Sequence, residues 1–116
     1  MRTISNTELK AAARQAYLEG RLCAQFTDGR VGDLPNGGCT YAIVINGKTY
    51  NCAIGAALTE SEIIGTDLSY TISALEHNGI VYFQDSNFAQ NLQYAHDDWA
   101  MGQKSEKDFR QLVDLD

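Results

Sequence analysis

The stretch CTYAIVINGKTYNC, residues 39–52, decides the architecture. Two runs of β-branched and aromatic residues flank Asn46-Gly47, and both of these residues tolerate the positive φ that a two-residue type I′ turn demands. Pairing outward from the turn sets Ile45 against Lys48, Ile43 against Tyr50 and Tyr41 against Cys52. The bulk of Tyr41, Ile43, Ile45 and Tyr50 marks their common face as the buried one, because side chains alternate strictly across a strand. Cys39 and Cys52 are not opposite each other in this register, which disfavours a bridge between them. Gly47-Lys48-Thr49 looks like the end of a phosphate-binding P-loop. That motif needs a glycine where Ala42 stands, and its dipeptide opens a helix rather than closing a hairpin.

Towards the N-terminus, TDGRVGDLPNGG (27–38) holds four glycines and the only proline, and reads as a loop. Leu22 to Phe26 is a short apolar piece with no clear period. Before it, Ser5 and Glu8 form an S-x-x-E capping box, with Ile4 and Leu9 placed as a hydrophobic staple. Leu9, Ala12, Ala13, Ala16 and Tyr17 share one helical face and Gly20 is a natural stop, so the spacing predicts a helix over 6–19.

Towards the C-terminus the period changes after Ala53. AIGAALTESEIIG (53–65) reads as a helical turn, then a second capping signal at Thr59 and Glu62 with Leu58 and Ile63 as staple. TDLSYTISALEHNG (66–79) is ambiguous. Its β-branched residues and an Asn78-Gly79 turn before IVYFQD favour a second hairpin, while a helix ending at Gly79 satisfies the same residues. IVYF reads as a strand. From Ser86 the pattern is helical, with Phe88, Leu92, Ala95 and Trp99 on one face. Gly102 breaks it, and a final helix carries Phe109, Leu112 and Val113 inward. The expected architecture is α+β: an N-terminal helix, an antiparallel β-sheet built from hairpins, and C-terminal helices, in one domain over 1–116.

A net charge of −6, from 15 acids against 9 bases, argues against non-specific DNA, RNA or anionic-membrane binding, which needs a basic surface. It leaves room for a small anionic ligand, which needs only one or two well-placed arginines. Cys23, Cys39 and Cys52 contain no C-x-x-C spacing, so neither a disulfide framework nor a zinc site is suggested, and each reads as a small buried hydrophobe. The opening MRTISNTELK has no apolar signal segment, and no stretch is long and apolar enough to span a membrane. A cytoplasmic protein is expected.

Few residues suggest chemistry. His77 and His96 lack the spacing of metal ligands, and His77 beside Asn78-Gly79 reads as a turn residue. Neighbours on a helix diverge by about 100°, so Asp97 and Asp98 do not converge on one substrate atom and read as a solvated face. No acid–base or nucleophile constellation emerges, and the chain reads as a binder rather than an enzyme. Beside the apolar stripe of the long helix runs a second one, Asn87, Asn91, Tyr94 and Asp98. Asn is a poor helix former, and its amide offers a donor and an acceptor side by side, the pattern that matches the edge of adenine; a polar solvent face beside a core aromatic fits the same spacing. Tyr82 or Phe83, at the end of the preceding strand, offers a ring for a base to stack on. Arg110 follows Phe109 and so points away from the apolar face, towards a phosphate or towards Asp114 at i+4.

ISNTELK, IVYFQD, NFAQNLQYAHDDWA and KDFRQLV together span both ends of the chain, and with them it resembles a family of small phage proteins that disarm the Thoeris antiviral system. Such proteins act as sponges, binding the cyclic ADP-ribose isomer that signals infection without cleaving it. The resemblance implies that Phe83 stacks on the purine, Asn91 contacts the ligand and Arg110 meets phosphate, with Arg30 and Asp108 as further contacts. It also implies a pocket shared by two protomers, hence a homodimer or larger assembly, working in the infected host's cytoplasm without a cofactor or metal. The rival reading is an acidic phage protein that inhibits a defence nuclease by protein–protein contact. Its weakness is that the acids are dispersed rather than clustered in runs.

Overall fold

A two-residue strand, β1 (Thr3–Ile4), leads into helix α1 (Asn6–Leu18) through Ser5. The Glu8 N–H donates to Ser5 Oγ at 3.1 Å while the Glu8 carboxylate accepts from the Ser5 N–H, which completes the expected capping box. Helix α1 buries Leu9, Ala13 and Ala16 on the face read from the sequence. It stops at Gly20, whose φ is +69°. There the Gly20 N–H donates to the Tyr17 carbonyl and the Arg21 N–H to that of Ala16, the paired bonds of a Schellman motif. A 3-10 turn follows at Cys23–Gln25. The computed structural model describes residues 2–26, 41–65, 71–101 and 106–115.

The hairpin forms in the register set by Asn46-Gly47. Strands β2 (Ile43–Ile45) and β3 (Lys48–Tyr50) pair Ile43 with Tyr50 and Ile45 with Lys48. Asn46 at φ 50° and Gly47 at φ 80° make the turn. Tyr41 and Tyr50 are buried, and Val44, on the other face, is 65% exposed. A 3-10 turn at Gly55–Ala57 precedes α2 (Glu60–Ile64), whose Thr59 and Glu62 form the second capping box. Gly55 is required here: a Cβ on it would sit 1.8 Å from the Tyr41 carbonyl oxygen.

The second hairpin does not form. Ile72–His77 is a helix, α3, capped by the Thr71 hydroxyl, which accepts from the Ala74 N–H. Asn78 keeps a negative φ of −88°, and only Gly79 is positive, at +73°. The Gly79 and Ile80 N–H groups donate to the Glu76 and Leu75 carbonyls, so the Asn-Gly pair closes a helix instead of turning a hairpin. The following strand β4 (Tyr82–Phe83) pairs in parallel with β1, with Ile4 beside Phe83. The expected antiparallel sheet built from hairpins is thus corrected, among the described residues, to two small sheets, one parallel and one antiparallel, in a largely helical α+β chain. Parallel pairing follows from two strand–cap–helix units lying side by side, since β4 runs through its N-cap Asp85 into α4 (Ser86–Ala100).

Helix α5 (Glu106–Leu112) packs on α4. Ile4, Leu9, Leu22, Ile54, Leu75, Val81, Leu92 and Phe109 meet in one fully buried core. Arg2 ties its edge together: the guanidinium donates to both carboxylate oxygens of Glu62 at 3.0 Å and to the Ala57 carbonyl at 2.6 Å. Cys23 is disulfide-bonded and so is not the reduced small hydrophobe expected of it, whereas Cys52 is free and buried.

Candidate functional site

The stripe of the long helix reaches a concavity. On α4, Asn91, Tyr94, Ala95 and Asp98 fall at steps of 3, 1 and 3 along one face, and on α5 Asp108, Gln111 and Leu112 fall at steps of 3 and 1. Together they line a cleft of about 580 Å3, a volume that suits a nucleotide-sized ligand. Asn87, the first residue of the stripe, is exposed but outside this lining. A second cleft of about 470 Å3 is lined by Glu106, Lys107, Arg110 and Gln111. Gln111 borders both, so the two concavities adjoin.

Their chemistry differs. The α4–α5 cleft offers two carboxylates, two amides and the Tyr94 ring, which is 61% exposed. Among the described residues its lining has no Lys, Arg or His. The adjoining cleft sets two cations, Lys107 and Arg110, three residues apart on one side of α5, beside one carboxylate, Glu106.

The residues named from sequence are distributed accordingly. Asn91 and Asp108 come together in the first cleft, and Arg110 borders the second. The Arg110 guanidinium lies over the Tyr17 ring at 5.7 Å and donates to the Tyr17 hydroxyl and the Leu115 carbonyl, each at 3.4 Å. Asp114, its possible i+4 partner, pairs with Lys10 at 3.1 Å. Phe83 lines neither cleft. Its ring is 6% exposed within the core, while the neighbouring Tyr82 is 46% exposed. A ring so buried meets a purine only if the core around it opens. Arg30 lies outside the described residues.

Cys52 and His96 are each buried and hydrogen-bonded to other groups. Cys52 Sγ accepts from the Gly55 N–H at 3.3 Å, and burial, only partly offset by hydrogen bonds, pushes its thiol up to about 12. A thiol so raised is protonated at neutral pH and a poor nucleophile. His96 is fully buried. Its Nε2 accepts from the Ala24 N–H at 3.2 Å, which places the ring proton on Nδ1, 3.0 Å from Asp97 Oδ1. The same Asp97 oxygen accepts from Gln93, whose own carbonyl oxygen accepts from the buried Ile54 N–H. Asp97, read as a solvated carboxylate, is half-exposed but serves this network, which joins α4 to both 3-10 turns. Periodicity gave no sign of it, because its two outer links, from the Ala24 and Ile54 N–H groups, are tertiary contacts to backbone.

Among the described residues no group of three His, Cys, Asp or Glu side chains is placed to hold a metal ion. No helix among them is long and apolar enough to cross a membrane. The chain matches no protein-family model, and no curated protein or solved structure is significantly similar to it.

Proposed function

We propose that this chain binds and sequesters a cyclic ADP-ribose-type nucleotide without cleaving it, and thereby blunts Thoeris antiviral signalling in the infected bacterial cell. The observation that carries the reading is the pair of adjoining clefts at Gln111. Such a ligand has two chemically different halves: nucleoside parts with ring faces and hydroxyl or amine donors, and a doubly anionic diphosphate. A groove with amides, carboxylates and an exposed ring beside a groove with Lys107 and Arg110 offers a partner for each half. Sequestration needs complementary, preorganised contacts and no general base.

The clefts are shallow in one subunit, and tight capture requires a desolvated site. A homodimer or larger assembly that covers the α4–α5 face is therefore part of the proposal. The nuclease-inhibitor alternative draws only on the net charge and has no local acidic run to support it.

Calorimetric titration with cyclic ADP-ribose isomers tests the reading. Saturable binding is expected, with the ligand recovered intact after heat denaturation and affinity lowered at least tenfold in Lys107→Ala/Arg110→Ala. Recovery of a cleaved product would make the protein an enzyme, and absence of heat with every isomer would remove the sponge reading.

A further inference from the structure

Resting on that reading, we propose that the ligand lies in one orientation: its nucleoside part in the α4–α5 cleft with Tyr94 as the stacking ring and Asp98 accepting from the sugar hydroxyls, its phosphates on Lys107 and Arg110. Phe83 is 6% exposed and Tyr94 61%, and only Tyr94 stands in a cleft with Asn91 and Gln111. An aromatic face beside side-chain amides is a binding surface for a heteroaromatic base, stacked on one side and hydrogen-bonded at its edge.

Charge then sets the direction. An ionised carboxylate only accepts hydrogen bonds. Asp98 and Asp108 therefore favour donors, such as vicinal sugar hydroxyls or an exocyclic amine, and repel phosphate. Across Gln111 the cleft carries two cations, Lys107 and Arg110, against one carboxylate, Glu106, so its balance is cationic where that of the α4–α5 cleft is anionic. A ligand placed the other way round would set its diphosphate against two carboxylates and leave Lys107 and Arg110 facing a neutral ring. Gln111, with a donor and an acceptor on one amide, borders the junction and can serve either part.

The test uses the full chain and two half-ligands. In amide-detected NMR titrations, adenosine should shift the resonances of Asn91, Tyr94 and Asp98, inorganic pyrophosphate those of Lys107 and Arg110, and Gln111 should respond to both. With an intact cyclic ADP-ribose isomer, Tyr94→Ala should weaken binding by about tenfold to a hundredfold, as expected for loss of one stacked base, while Tyr94→Phe stays near wild type. Asp98→Asn should weaken binding of the sugar-bearing ligand and leave pyrophosphate shifts at Lys107 unchanged. Wild-type affinity in Tyr94→Ala, or pyrophosphate shifts centred on Asp98, overturns the orientation while leaving sequestration standing. If wild-type protein binds no isomer, sequestration itself fails and the orientation with it.

Discussion

Replacing Glu62 by Gln separates two tasks that one carboxylate performs. Its Oε1 accepts from the Thr59 N–H at 2.8 Å to complete the capping box of α2, and both oxygens accept from Arg2 at 3.0 Å. Gln at the same helical position preserves the capping box but removes the charge that Arg2 faces. The Arg2 and Glu62 side chains are 38% and 15% exposed, so the pair lies between a surface pair, worth about 0–1 kcal/mol, and a buried one, whose rupture costs about 3–5 kcal/mol. Glu62→Gln is expected to cost about 1.5 kcal/mol, in line with charged hydrogen bonds generally. Glu62→Ala should cost about 1 kcal/mol more, through the lost cap. Near the midpoint each kcal/mol corresponds to about 4 °C in a chain of this size. Burial acts to raise the Glu62 pKa, but the Arg2 hydrogen bond and charge, with the Thr59 groups, hold it below the usual value. A pKa depressed in the folded state gives stability that is fully present above the unfolded value, about 4.3 for glutamate, and lost as pH falls through the folded one. The gap between wild type and Glu62→Gln should thus be complete at neutral pH and close in acid. Urea titrations read by the fluorescence of Trp99, which sits against Tyr17 and Phe109, measure it. A cycle with Arg2→Met should give a coupling of about 1 kcal/mol; a coupling below about 0.3 kcal/mol, the ordinary additivity error, would mean that Arg2 and Glu62 do not stabilise each other.

Two further outcomes concern the core. Gly55→Ala forces a Cβ against the Tyr41 carbonyl at 1.8 Å, a clash with backbone that no rotamer relieves. It should lower thermal stability by about 3 kcal/mol, the upper end of overpacking costs; a melting temperature unchanged from wild type would show that the 52–58 turn does not pass so close to Tyr41. Phe83→Ala should destabilise by about 3–5 kcal/mol as a core truncation, with ligand affinity falling only as far as the folded population does. If it instead abolished binding while the urea midpoint stayed put, Phe83 would be a contact residue and its ring exposed in the binding state.

The parts legible in the sequence are those fixed locally. Ser5–Glu8 and Thr59–Glu62 are capping boxes because three residues of spacing suffice to bring side chain and backbone together. Asn46-Gly47 sets the hairpin register by φ alone. Asn78-Gly79 shows where that logic stops. In both pairs the glycine takes positive φ, but Asn46 does so as well and Asn78 does not, and it is the preceding Thr71 cap and the paired bonds to Glu76 and Leu75 that make the second pair a helix terminus. The partner of β4 was equally beyond local reading. Tyr82 and Gln84 donate to the Arg2 and Ile4 carbonyls some eighty residues away, and Glu76 accepts from the Phe83 N–H and the Ser86 hydroxyl, contacts that carry no sequence period.

The same division explains the site. Stripe periodicity placed Asn91, Tyr94 and Asp98 on one helical face, and α5 makes that face one wall of a cleft. The ring beside it was harder to assign, because alternation along a strand makes Tyr82 and Phe83 point to opposite sides and nothing local says which side is core. Parallel pairing with β1, whose Ile4 is fully buried beside Phe83, turns Phe83 inward and Tyr82 outward. Net charge is similarly uninformative at this scale. A helix turns about 100° per residue, so Asp108 and Gln111 look into one cleft while Lys107 and Arg110 border the other. A chain of net charge −6 can therefore place two cations beside a single carboxylate in a cleft that shares Gln111 with an acidic one. That adjacency, rather than the overall charge, is the property to interrogate with anionic ligands.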